Sequence, residues 1–221
     1  GDARSAIANA LASENAVTVL QDIGNQFQAV QGALNSKHQG DYLFSGSRTD
    51  TAPVSVQTLA QLTAAPDVAS TFTNDDLAPT SRVSESGPIK TGVLASDVGA
   101  EVFQIFRDIQ AYSDDPATGP LNGKLTDAQK TFLTAQLTRL DAAKLAVVNV
   151  TANNGALAKQ VEATTASNAA QVTMLEGLVA KRTDADMAQA VTDLEMSEIA
   201  IQASAQVISR LSEVSLLNFL R

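Results

Sequence analysis

The run LTAQLTRLDAAKLAVVNV, Leu133–Val150, and its continuation to Val179 decide the fold. Leu133, Leu137, Leu140, Lys144, Val147, Thr151, Asn154, Ala158, Val161, Thr165, Asn168, Val172, Leu175 and Val179 follow one another by four and three residues without a slip. That spacing returns a side chain to the same face of an α-helix at every turn. Thr126 and Gln129 stand at capping-box spacing just upstream. A single helix is therefore predicted from about Thr126 to Arg182, roughly 85 Å long at 1.5 Å per residue. The middle of this seam is polar (Lys144, Thr151, Asn154, Thr165, Asn168), which predicts packing in a multi-helix rod rather than a two-stranded zipper. Asn153, Asn154 and Gly155 mark the expected bend.

Downstream, KRTDAD is read as a break, with a further helix running from there to the last residue. Its first apolar stripe is Met196, Ala200, Ala203, Val207, Leu211, Val214 and Leu217. A second is Val191, Leu194, Ile201 and Ile208, and Phe219 and Leu220 add to the apolar tail LSEVSLLNFLR. Two stripes on one helix call for partners on more than one side. These residues are the candidate subunit-assembly surface.

Upstream, Ala6–Leu34 has helical spacing, clearest at Leu20, Ile23, Phe27, Val30 and Leu34. It leads into GDYLFSGSRTDTAPV, Gly40–Val54, where Tyr42, Phe44, Gly46 and Pro53 are read as the transition out of the helix. From Ser45 to Ser96 prolines and glycine punctuate the short runs VSVQTL, ASTFT, SRVSES and IKTGVL, read as small strands and turns. Helical pattern resumes in SDVGAEVFQIFRDIQAY with Ser96 as N-cap and a stripe of Val98, Val102, Ile105, Ile109 and Tyr112. The expected organisation is 1–45 as an ascending rod helix, 46–95 as a β-rich outer insert, 96–183 as the helical return and 184–221 as a carboxyl-terminal assembly helix. The fold class is mainly α: an elongated rod of long antiparallel helices, coiled-coil-like, with a small β-rich insert.

Composition narrows the function. Aromatics are only 4% of the chain and tryptophan is absent, so the 44% hydrophobic content rests on Ala, Val and Leu, which suit close helix packing in a thin body. A net charge of −9 argues against a nucleic-acid or anionic-membrane surface. With no cysteine there is neither a disulfide framework nor a thiolate metal site. No apolar run reaches the roughly 20 residues of a membrane span. The opening GDARSAIANAL carries no signal-peptide pattern and does not begin with Met, so it reads as a piece or processed product of a longer chain.

Candidate chemistry is sparse. His38 is the sole histidine and is read as an ordinary residue at a helix end. Asp184 and Asp186 could be paired carboxylates, but they fall where a helix is predicted to begin and are read as capping groups. Asn74, Asp75 and Asp76 lack the glycine and distal glutamate of a calcium loop and are read as an exposed turn. No nucleophile elbow, dinucleotide fingerprint or phosphate loop is present. No catalytic residue, cofactor or metal site is expected, and the chain is read as a non-enzyme.

Two stretches carry a resemblance. GDYLFSGSRTDTAPV and RTDADMAQAVTDLEMSEIAIQASAQVISRLSEVSLLNFL are similar to segments of the bacterial flagellin family, most closely its hook-filament junction members of the hook-associated protein 3 type. The resemblance implies helices that go out along a rod, a β-containing insert at the outer end, and a return helix finishing in an inner assembly tube. It implies an extracellular structural subunit of the flagellum, self-associated in a ring and joined to a neighbouring junction protein and flagellin. It further implies type III export without a cleaved signal peptide, with an export chaperone on the carboxyl-terminal arm. The family's amino-terminal arm, which pairs with that helix, has no counterpart in the residues from Gly1 onward. Alternatives are flagellin itself, polymerising with its own copies, or a surface module in which the insert binds a glycan or host protein.

Overall fold

The computed structural model describes residues 2–84 and 87–213. In chain order the elements are α1 (Asp2–Ser13), α2 (Val19–Leu34), β1 (Lys37–His38), β2 (Asp41–Tyr42), α3 (Leu59–Ala64), a 3-10 turn (Ala69–Thr71), β3 (Thr80–Ser84), β4 (Gly87–Lys90), α4 (Ala95–Asp114) and α5 (Asp127–Glu213). The protein is mainly α with a small insert containing few short strands. Two compact units are formed, residues 1–161 and 162–221, and α5 contributes to both.

The first unit is built on four antiparallel neighbours. Phe27 of α2 meets Phe103 of α4, with ring centroids 5.0 Å apart, while Leu34 reaches Gly99 one end further along. A Cβ on Gly99 would stand 2.7 Å from Leu34 Cδ1, so the glycine permits this close approach of the two helices. Tyr112 of α4 stacks on Phe132 of α5 at 3.8 Å, and Arg139 binds Asp108 (2.6 Å) and Glu101 (2.9 Å) of α4. Arg4 and Glu14 of α1 and its exit meet Asp141 (2.6 Å) and Lys130 (2.7 Å) of α5. In each pair the residue numbers rise on one helix as they fall on the other, which fixes the antiparallel sense.

Ala6–Leu34, read as one helix, is two. The chain turns at Glu14–Thr18, where Glu14 has φ +50° and the Asn15 carboxamide oxygen accepts from Val17 N at 3.0 Å. Asn15 side chains compete with the helix for backbone amides, which is why this residue type ends helices. The loop into α5 then pairs with the turn: Ala16 N donates to Gly123 O (2.8 Å) and Leu125 N to Glu14 O (2.9 Å).

The insert is less β-rich than its short runs imply. VSVQTL ends in α3, whose first turn is capped by Thr58 Oγ1 accepting from Gln61 N. ASTFT contains a 3-10 turn and contributes only a bridge from Phe72 to Val54. The regular pairing is the antiparallel hairpin of β3 and β4, with Ser81 opposite Ile89. His38 belongs to a second small hairpin, β1–β2, turned by Gln39 (φ +53°) and Gly40 (φ +100°), rather than to a helix end.

The transition residues are brought against the insert and the start of α4. Tyr42 carries Lys37 Nζ 4.3 Å above its ring. Phe44 packs on the core and its carbonyl accepts from Ala95 N at 2.9 Å. Gly46 has φ +72°, and a Cβ there would collide with the Asp75 carboxylate. Pro53 is buried, and its carbonyl accepts from Thr73 N at 3.0 Å.

Ser96 is not the cap of α4. The helix begins one residue earlier, and Ser96 N donates instead to Asn74 Oδ1 (3.3 Å), while Asn74 Nδ2 donates to Ser96 Oγ (3.0 Å). A carboxamide from the insert thus serves the first turn, whose amides have no partner within the helix. The core face of α4 is also displaced from the predicted stripe. Phe103 and Phe106 are fully buried with Ile105 and Ile109, whereas Val98, Val102 and Tyr112 lie at its margin.

Candidate functional site

α5 opens as its sequence predicts. Gln129 N donates to Thr126 Oγ1 (3.2 Å), and Thr126 N to Gln129 Oε1 (3.1 Å), a reciprocal capping box. Gln129 Nε2 also donates to Thr118 O at 3.0 Å, fastening the incoming loop.

The phase of its seam differs from the one predicted. Gln129, Leu133, Gln136, Leu140 and Ala143 are buried, and Val150, Leu157 and Val161 are half-buried. Leu133, Leu140 and Val161 belong to both patterns. The alternate positions are Gln136, Ala143, Val150 and Leu157, one residue earlier than Leu137, Lys144, Thr151 and Ala158. Lys144 and Thr151 are therefore exposed beside the seam, whereas Asn154 keeps seam spacing between Val150 and Leu157 and is exposed there.

No interruption occurs at Asn153–Gly155 or at KRTDAD: α5 is continuous from Asp127 to Glu213. Asp184 and Asp186 consequently lie within the helix and do not cap its beginning. The segment contains neither Gly nor Pro, and Thr and Asp cost a helix only up to about 0.7 kcal/mol each. Residues two apart do not face each other on a helix, so this pair is not a chelating pair either.

The second unit supplies an uncovered surface. Among the described residues, the large exposed hydrophobic side chains all lie on α5 except Val17, Leu43 and Leu77. Val191, Leu194, Met196, Ile201, Val207, Ile208 and Leu211 are between 51% and 68% exposed, compared with 0% for Leu133 earlier on the same helix. Ala200 and Ala203 are exposed with them. Val214, Leu217, Phe219 and Leu220 lie outside the described residues. Sequence reasoning omitted Met187, Ile199 and Leu178, which are similarly exposed. Met187 could have been found four residues before Val191, extending the second stripe.

The hydroxyls among these residues are already engaged. Thr173, Thr183, Thr192, Ser197 and Ser204 each donate to the carbonyl four residues earlier, at 2.7–3.1 Å. Their donors need no water, which lowers the desolvation cost of covering the face.

The first unit has a predominantly apolar groove, about 410 Å³, lined by Val30, Leu34, Phe44, Val98, Val102 and Val147 among others. It presents no titratable side chain for acid–base work. Asn74 and Asp75 are structural anchors. Ser47 N donates to Asp75 Oδ1 at 3.0 Å, Ser47 Oγ donates to Oδ2, and Leu77 N donates to Oδ1 at 3.1 Å. The Ser47 hydroxyl and amide hold the Asp75 carboxyl below its ordinary range. Among the described residues no group of three or more His, Cys, Asp or Glu side chains is placed to hold a metal ion, and no helix is long and apolar enough to cross a membrane.

Neither a curated protein nor a solved structure gives a significant match to the chain. Residues 128–220 match the family model of the bacterial flagellin C-terminal helical region, a stretch that contains nearly all of α5.

Proposed function

We propose that this chain is a structural, non-enzymatic subunit of the extracellular bacterial flagellum, acting as the adaptor that joins the hook-side junction to the flagellin filament. The observation that carries the subunit reading is the exposed apolar surface of α5 within the segment matching the flagellin C-terminal helical region. Covering one Leu, Ile or Val side chain contributes about 1.5–3 kcal/mol before ordering costs. A few such contacts per subunit therefore suffice to couple the folding of this arm to assembly.

On this reading residues 184–221 are the assembly arm, closed over by neighbouring copies in a ring, by the adjoining junction protein and by flagellin. Residues 1–45 and 96–183 form the rod, and 46–95 the outer insert. Tyr42, Phe44, Gly46 and Pro53 redirect the chain between the two. An export chaperone covers the same apolar arm before type III export.

The choice of adaptor over flagellin rests on the likeness of Gly40–Val54 to hook-filament junction proteins. Electron microscopy of purified full chain, alone and mixed with flagellin and hooks, tests it. Short caps on hooks that then support filament growth are expected; long homopolymers from the chain alone would establish flagellin instead. Deletion of Ser197–Arg221 is expected to leave a helical protein that no longer caps hooks, and normal filament growth with that deletion would refute the role of the arm.

A further inference from the structure

The chain has three methionines and no cysteine, so all its sulfur resides at Met174, Met187 and Met196. None contributes to the core, which is assembled from Ala, Val, Leu, Ile and Phe. This is unusual use of a residue whose flexible thioether ordinarily fills irregular gaps inside proteins. All three lie on α5, 63–68% exposed, and each has an apolar companion one turn on: Leu178, Val191 and Ala200 respectively. Met196 is part of the first apolar stripe and Met187 extends the second.

We propose that these methionines form an oxidant-sensitive modification site that controls whether the apolar face of α5 can be covered, an inference that rests on the assembly reading above. The co-reactant is a peroxide. A thioether lone pair attacks one peroxide oxygen, the O–O bond breaks as the S–O bond forms, and the departing oxygen leaves as water after proton transfer. Sulfur is oxidised by two electrons and peroxide is reduced by two. The product sulfoxide is polar and chiral, and reductases specific for each epimer reverse it. In the free subunit it stays in contact with water, so folding is unaffected. In a packed interface its oxygen must be desolvated among Leu, Val and Ile, which opposes association.

The test treats purified full-length chain with dilute hydrogen peroxide, measures sulfoxide at each methionine by peptide mass spectrometry, and scores the protein recovered by pelleting with purified hooks or with itself. Circular dichroism is recorded before and after treatment. A variant with Met174→Leu, Met187→Leu and Met196→Leu serves as the oxidant-insensitive control, since Leu preserves volume and helix propensity. The expected result is complete conversion to sulfoxide with unchanged helicity and a loss of association of at least tenfold, reversed by methionine sulfoxide reductase. Whatever its association relative to wild type, the Leu variant should keep its own untreated level after peroxide, and an equal fall in the Leu variant would overturn this inference. Oxidised wild type that associates like untreated protein would overturn this inference alone. Failure of both untreated proteins to associate would overturn the assembly reading, and this inference with it.

Discussion

Leu133 and Leu194 lie on one continuous helix and differ in almost nothing but their company: the first is wholly buried and the second is 61% exposed. Around Leu133, α1 and α4 supply aromatic stacking, ion pairs and a continuous apolar core from the same chain. Around Leu194 the described residues supply only the helix itself. Apolar spacing thus reports that a face is made to be covered, while the identity of the covering partner depends on what the rest of the sequence can reach.

Substitutions can break this comparison, beginning with the largest change expected in the isolated chain. Phe103→Ala removes a ring fully buried against Phe27 and Phe72. It should lower unfolding free energy by about 3–5 kcal/mol, read as a fall in denaturant midpoint. Leu133→Ala should cost about 2–5 kcal/mol, whereas Leu194→Ala, the same truncation on the exposed part, should stay within about 0.5 kcal/mol. Equal costs for the two leucines would end the distinction between covered and uncovered parts of α5.

Smaller effects sharpen the account of the transition into the insert. Gly46→Ala forces a side chain into a left-handed conformation and against the Asp75 carboxylate, with about 1–2 kcal/mol expected from the backbone alone. The Asp75 contacts should also depend on pH. Because its folded-state pKa is depressed, its contribution is fully present above the ordinary carboxylate range and is lost as pH falls through the lower folded value. Amide exchange at Ser47 and Leu77 should accelerate with that titration relative to the rate expected for unprotected amides, and Asp75→Ala should remove the pH-dependent step. The smallest folding effect belongs to Ile201→Asp, expected within about 0.5 kcal/mol in the monomer because Ile201 is exposed. The same change should abolish pelleting with hooks if this face is covered there.

Much of this architecture can be read from residues alone. The α5 capping box, the long helical run and the apolar face of α2 all follow from local spacing and side-chain chemistry. The remainder needed information that spacing does not contain. A four-three repeat constrains two alternating positions only when it is known which neighbour the helix meets, and the choice between Leu137 and Gln136 was made by α1 and α4. Gln136 looks solvent-facing by type, yet it is buried and its Oε1 accepts from Arg139 Nη1 at 3.0 Å. The break read at KRTDAD gave capping weight to aspartates that the helix simply carries through. Ser96 has the right chemistry for a cap, but a long-range partner, Asn74, occupies that role at the first turn. The apolar stripes between Val191 and Leu211 were legible as patterns, and among the described residues no element buries them.

The Asn74 carboxamide has a practical consequence for engineering. An inter-helix segment such as 52–94 is a natural place to graft a foreign epitope or reporter peptide, but here it also supplies the group that completes the opening turn of α4. Wholesale replacement would carry that group away and loosen a helix some distance from the graft. A successful exchange must retain Asn74, or bring its own hydrogen-bond acceptor to Ser96, so the decorative part of the protein is not free to vary independently of its frame.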